Sequence, residues 1–223
     1  MGQPLLLFFS LSKGGMNVSW DVLTIIGTIA FALSGVIVAM EEEYDLMGVY
    51  ILGLVTAFGG GAIRNLLIGV PVSALWEQGT LFFMAIIVMT IAFFLPHLWV
   101  THWIKWGLLF DAMGLAAFAI QGALYATSMN HPLSAVIVAA ALTGAGGGMV
   151  RDILAGRKPL VLRSEIYIVW AMLAGLAIGL GIGEGTFAII FLFLSIVTLR
   201  MLSVHFKWTL PRRKVTISHK ENQ

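Results

Sequence analysis

The sequence predicts an all-α integral membrane protein: seven transmembrane helices, arranged as two inverted three-helix repeats plus a seventh helix. Three observations carry this. Hydrophobic residues make up 59% of the 223 and charged residues only 11%, where a soluble domain carries about 25% charged. Apolar stretches of roughly 17 to 21 residues follow one another from Val22 onward, each long enough to cross a hydrocarbon core of about 30 Å at about 1.5 Å per residue. The first half of the chain also returns in the second at a constant offset.

The stretches run Val22 to Met40, Leu46 to Ala62, Leu81 to Pro96, Trp106 to Thr127, Leu133 to Met149, Ile166 to Ile182 and Phe187 to Ser203. Polar residues collect in the breaks, as in EEEYD at 41–45 and GRKPLVLRSE at 156–165. This divides the chain into an N-terminal extension (1–20), repeat 1 (21–98), repeat 2 (104–183), a seventh span (185–205) and a basic tail (206–223). The extension has no basic residue ahead of its short apolar run, so it does not read as a signal peptide. Trp99, Trp103, Trp106, Trp170 and Trp208 fall near the expected interfaces, as an aromatic belt requires.

Seven spans place the termini on opposite sides. One side receives only Lys13 and Arg64; the other receives eleven basic residues, namely Lys105, Arg151, Arg157, Lys158, Arg163, Arg200, Lys207, Arg212, Arg213, Lys214 and Lys220. The rule that cytoplasmic loops carry the excess of Lys and Arg puts the N-terminus outside and the tail in the cytoplasm of a cell whose inner or plasma membrane holds the protein.

The repeat is ungapped. Ala30-Phe31-Ala32-Leu33-Ser34-Gly35 falls on Ala117-Phe118-Ala119-Ile120-Gln121-Gly122, an offset of 117 − 30 = 87. At the same offset, Gly59-Gly60-Gly61-Ala62-Ile63-Arg64-Asn65 falls on Gly146-Gly147-Gly148-Met149-Val150-Arg151-Asp152. Each unit has an odd number of spans, so the second enters the membrane from the opposite side. Inverted repeats of this kind are typical of transport proteins, whose path runs between the halves.

Three adjacent glycines are poor helix material, each costing about 0.8–1 kcal/mol against Ala. One reading is a close helix crossing; the other is a break or sharp bend at Gly59–Gly61 and Gly146–Gly148 that bares backbone groups beside a watery path. The apolar run from Leu46 to Trp76, about 31 residues, exceeds one straight span and favours the break. Arg64 with Asn65, and Arg151 with Asp152, then follow each bend. An arginine in the bilayer costs at least about 2.5–3.5 kcal/mol, so each should face the interior and have a partner. Candidate partners are carbonyls of the opposite glycine triplet, Asp152, and Asp111 at the start of span 4. The simpler reading of each is an arginine snorkelling to the interface. Ser34 and Gln121 serve as interhelical hydrogen-bond glue or as pore lining.

Other signals are weaker. Glu41-Glu42-Glu43 with Asp45 reads as a solvated turn, or as a vestibule that concentrates cations. His97, His102, His131, His205 and His219 lack ligand spacing, and with no cysteine a metal site is not expected. No GxSxG, HExxH or P-loop is present, so the chain does not read as an enzyme and needs no cofactor. A folded basic face for nucleic acid is also missing.

Two units, each with AFA-x-x-G in its first helix and GGG-x-x-R-[DN] in its second, plus a seventh span, resemble the trimeric intracellular cation (TRIC) channels and their prokaryotic relatives, many of which carry a glycine-transporter domain name. The resemblance covers residues 20–205. It implies a homotrimer in the lipid bilayer with one pore per subunit, flanked by spans 2 and 5 bent at their glycines, and permeation by monovalent cations such as potassium. Asn65 departs from the acid found at Asp152, which makes the halves unequal. A secondary transporter of glycine or another small solute stays open beside the channel, because both need the same architecture; a membrane protein with a structural role alone is the third class.

Overall fold

The computed structural model describes residues 16–95, 103–162, 166–182 and 185–211. They form seven α-helices: α1 (Met16–Glu41), α2 (Leu46–Ile68), α3 (Gly79–Phe94), α4 (Trp103–Ser128), α5 (Leu133–Leu154), α6 (Ile168–Gly179) and α7 (Thr186–His205). Single 3-10 turns follow α2 at Val72–Leu75 and α5 at Leu160–Leu162.

Five helices, α1, α2, α4, α5 and α7, are long and apolar enough to cross a membrane. The other two, α3 and α6, are apolar but shorter. Their 16 and 12 residues reach only about 24 and 18 Å at 1.5 Å per residue. They occupy matching places in the two halves.

The offset of 87 survives in the helix boundaries. Met16–Glu41 shifted by 87 is residues 103–128, the bounds of α4, and Leu46 shifted by 87 is Leu133, the first residue of α5. Local signals set both ends of α2. Asp45 caps α2 by accepting from the Gly48 amide at 2.8 Å, and Gly69 ends it at φ 76°, a left-handed conformation that glycine adopts without strain.

The central pair is α1 and α4. Of their most apolar windows, 72% and 67% are buried, against 22% for the peripheral α7. One apolar cluster, with Phe31, Val36, Leu52 and Met89, fills the first half; a second, with Leu115, Ile120, Val136 and Ile178, fills the second half and takes Ile189 and Ile196 from α7. Large apolar side chains on α3 and α7, such as Phe83, Phe94, Phe187 and Phe191, remain exposed, as a bilayer or a second copy of the chain would allow.

Contacts between the halves come in exchanged pairs. A Cβ on Gly27 would strike Phe118, and one on Gly114 would strike Phe31, the residue 87 earlier. The Phe31 and Phe118 rings meet at 5.3 Å. Likewise Gly60 lies against the Thr143 carbonyl and Gly147 against the Thr56 carbonyl, each too close for a Cβ.

Candidate functional site

The glycine triplets lie where α2 and α5 cross. Both helices are continuous through them, so the backbone is not unwound there. The sequence from Leu46 to Trp76 is instead accommodated by ending α2 at Ile68 and turning the chain at Val72–Leu75. Within each triplet the positions differ in role. Gly60 and Gly147, the middle members, allow backbone to touch backbone. Gly59 sits 3.7 Å from the Gly147 Cα, and Gly146 3.2 Å from the Gly60 Cα, measured from the Cβ each lacks. The third members, Gly61 and Gly148, leave room for the arginine three residues on: their absent Cβ atoms would stand 3.9 Å from Arg64 Nη2 and 3.7 Å from Arg151 Nη2. Residues three apart share a helix face, so the third glycine clears the path along which each guanidinium lies.

Arg151 is buried, at 2% exposure, and closes one end of this crossing. Its Nη1 lies 2.8 Å from Asp111 Oδ1 and its Nη2 2.7 Å from Asp152 Oδ1. Its Nη1 also donates to Ser34 Oγ at 2.5 Å, and its Nε to Asp152 at 2.8 Å. The other Asp152 oxygen accepts from the Leu160 amide at 2.8 Å. Asp111 Oδ2 has no hydrogen-bond partner among the described residues. One guanidinium thus joins α1, α4 and α5, with its charge offset by two carboxylates.

Arg64 is the same residue in the other half and is neutralised differently. Its Nε and Nη2 donate to one neutral acceptor, Asn65 Oδ1, at 3.1 and 2.9 Å. Its guanidinium lies 4.7 Å over the Tyr125 ring, a cation–π contact. No carboxylate forms an ion pair with it among the described residues; of the candidate acids, Asp111 and Asp152 both go to Arg151. Arg64 lines a cavity of about 300 Å³, with Thr24, Asn65, Gln121 and Tyr125, and with Asp21 and Glu77 as its acids. Thr143 also lines it, so the cavity reaches the glycine crossing.

Ser34 and Gln121 occupy matched positions and bind different partners: Ser34 accepts from Arg151, whereas Gln121 Nε2 donates to Thr24 Oγ1. Sequence reasoning missed Thr24, which the offset alone would have found, since 111 − 87 = 24.

Besides Arg64, two basic residues counted as loop charges on the tail side are buried. Arg151 is one; Arg200, on α7, is the other, at 1% exposure, with its guanidinium 4.8 Å over the Tyr167 ring and a 3.3 Å bond to the Ile166 carbonyl. The acidic turn is not merely solvated. Glu41 and Glu42 grip Arg157 at 2.6 and 2.5 Å, tying the first hairpin to the segment after α5, and the Tyr44 hydroxyl donates to the Leu154 carbonyl at 3.2 Å. Burial opposes the charge of Arg157, but hydrogen bonds to both glutamates outweigh it and raise its pKa. The tail begins in contact with the bundle: Trp208 accepts from the Ile166 amide at 3.1 Å and its ring lies 6.4 Å from that of Trp170. Trp99, His97, His102, Arg163, His219 and the basic residues of 212–223 lie outside the described residues.

Five apolar helices long enough to cross a membrane, packed around buried charge and a cavity, make this a membrane protein, and the proteins it is similar to are channel and transport proteins. A family profile described as "Glycine transporter" matches residues 21–97 and again 108–182; the two matches begin 108 − 21 = 87 residues apart. The chain belongs to this family. The "UPF0126 membrane protein YvgT" of Bacillus subtilis (strain 168) is 64% identical over 201 residues, covering 90% of this chain and 100% of that protein. The "UPF0126 inner membrane protein YadS" of Escherichia coli (strain K12) is 36% identical over 170 residues, 72% of this chain and 77% of that one. Among solved structures, a TRIC cation channel studied for conductance is 37% identical, with TM-score 0.77, over 89% of this chain and 98% of that chain. The TRIC orthologue from Rhodobacter sphaeroides is 31% identical, with TM-score 0.77, over 84% and 98%. The resemblance read from the repeated motifs is therefore correct.

Proposed function

We propose that the protein is a potassium-permeable monovalent cation channel, a homotrimer with one pore in each subunit running between α2 and α5. The observation that carries this reading is the near-complete likeness to a solved TRIC cation channel, at 37% identity over 98% of that chain. The exchanged contacts support an inverted repeat, because a two-fold axis generates each contact twice with the partners swapped. Under that symmetry the Arg64 cavity enters from one side of the membrane and the Arg151 cluster stands at the other. The glycine crossing is the constriction between them.

The charges support a gated rather than an open pore. Arginine is effectively always protonated, so it forms a positive barrier in a cation path unless offset. Asp111 and Asp152 supply that offset at Arg151, and the hydrogen bond to Ser34 ties α1 to α5 across the path. Separating α1 from α5 would break that bond while leaving Asp152, next in sequence, with its arginine. The charge count still favours a cytoplasmic tail: leaving out the basic residues that are buried among those described leaves 11 − 2 = 9 on the tail side and 2 − 1 = 1 on the other.

Purified protein in planar bilayers tests the proposal. A channel gives unitary potassium currents far above about a thousand ions per second, which alternating access, with motions of microseconds to milliseconds or longer, does not reach. Saturable glycine uptake into vesicles with no unitary current would overturn it in favour of a transporter.

A further inference from the structure

Beyond the buried cluster, a second set of charges joins the first hairpin to the second half of the chain, and it does so at the Arg151 end only. Arg157 Nη1 lies 2.6 Å from Glu41 Oε2 and its Nε 2.5 Å from Glu42 Oε1. The backbone that carries Arg157 is repeated in the other half. The Arg157 amide donates to the Asp152 carbonyl at 2.8 Å, as the Val70 amide does to the Asn65 carbonyl at 2.9 Å, and 157 − 87 = 70. The charges are not repeated. Val70 stands where the second half has Arg157, and Ser128 and Met129 stand, 87 residues on, for Glu41 and Glu42.

We propose that this clamp is an ionic latch, released by ionic strength, that holds Ser34 of α1 against Arg151 of α5 and so keeps the Arg151 end of the path shut. It deepens the channel reading and rests on it, since closing one end matters only where a path exists. Ser34 and Glu41 are seven residues apart on α1 and so share a helix face. On the other side of the seam Asp152 links the two contacts: its Oδ1 pairs with Arg151, its Oδ2 accepts from the Leu160 amide, and its carbonyl accepts from Arg157. The buried bond and the surface clamp therefore cross the same seam between α1 and the end of α5. Arg157 is a positioning residue, acting on Arg151 through α1. The strength of the clamp suits this role. Its side chains are 23–36% exposed, and an exposed pair shifts a two-state balance about fivefold at most. Salt shortens the reach of its charges from about 10 Å at 0.1 M to about 3 Å at 1 M. Such a contact biases a gate without fixing the fold.

The chain has no cysteine, so a single introduced thiol reports on one place. Val38→Cys is the probe: Val38 is 8% exposed, four residues from Ser34 and three from Glu41, on the face they share. Ala74→Cys, at a residue lining the Arg64 cavity, is the control at the other end. Full-length protein in detergent is labelled with N-ethylmaleimide, an uncharged reagent, in about 0.05 M and about 1 M sodium chloride. Arg157→Gln, and separately Glu41→Gln with Glu42→Gln, should speed labelling at position 38 about two- to fivefold at low salt and leave position 74 unchanged. Arg157→Lys should keep most of the protection. High salt should speed labelling at position 38 when Arg157 is present and add little in Arg157→Gln. The latch is overturned if these substitutions leave position 38 protected, if both positions speed up together, or if salt acts equally with and without Arg157. In planar bilayers Arg157→Gln should also raise the open probability for potassium, and a conducting protein that ignores the substitution overturns the latch as well. No current at all counts against the channel reading alone, because labelling is read without flux.

Discussion

Asp111 Oδ1 lies 2.8 Å from Arg151 Nη1, and both side chains are 2% exposed. They come from α4 and α5, 40 residues apart, and Ser34 from α1 completes the contact. Deleting one partner of a buried ion pair costs more than the pair contributes, because it strands the other charge.

Asp111→Ala should therefore destabilise the protein by about 3–5 kcal/mol. Asn65→Ala, which removes a neutral acceptor from Arg64, should cost only about 1–3 kcal/mol. Denaturant or thermal melts in detergent check the order. Equal losses would mean that the two arginine sites are electrostatically alike.

Arg151→Gln should change potassium conductance far more than Arg163→Gln, since Arg151 is held between the helices at the crossing. Bilayer recording of both variants, with size-exclusion profiles to verify assembly, is the measurement. If both are silent, Arg151 has no part in conduction.

At the crossing, Gly60→Ala and Gly147→Ala each drive a methyl group into a backbone carbonyl of the facing helix. Overpacking of this kind typically costs about 1–3 kcal/mol. Gly79→Ala, with nothing within 4 Å of its new carbon, should be close to neutral and serves as the control. Larger residues such as Leu at position 60 should lose the folded assembly. Retention of the fold with loss of transport alone would instead point to a bend.

The Arg157 clamp is partly exposed, with side chains 23–36% accessible, so its contribution is small and screened by salt. A double-mutant cycle of Arg157→Gln with Glu42→Gln should give a coupling of about 0.2–1 kcal/mol, falling as ionic strength rises. A larger, salt-independent value would show that the clamp is tied into the buried Asp152 network.

For orientation, reporter fusions after Lys13 and after Lys220 should lie on opposite sides of the membrane, the second in the cytoplasm. The same side for both would exclude an odd number of crossings.

Much of this protein was legible without coordinates, because the bilayer and the duplication both act on sequence directly. A membrane core demands apolar stretches whatever they pack against, so the long helices were visible as composition. The offset of 87 was visible as identity of residues, and it reappears in the bounds of α1 and α4. Asp111 was a candidate partner of Arg151 because few acids occur in spans and each must find a cation.

Only the tertiary structure shows what the glycines and arginines touch. Contiguous glycines lower helix propensity, which on its own points to a break or sharp bend. Contact with a facing helix outweighs propensity, so α2 and α5 remain continuous and use the missing side chains to approach each other and to seat Arg64 and Arg151. The burial of Arg200 against Tyr167 and the grip of Glu41 and Glu42 on Arg157 were likewise invisible, since they join segments with no shared motif. The inequality of the two arginine sites lies between these cases. Asn65 opposite Asp152 and Thr24 opposite Asp111 both follow from the offset, but that Thr24 and Arg64 share a cavity while Asp111 pairs with Arg151 required knowing which helices meet. Charge compensation depends on distance in space, and the linear sequence fixes distance only within a helix.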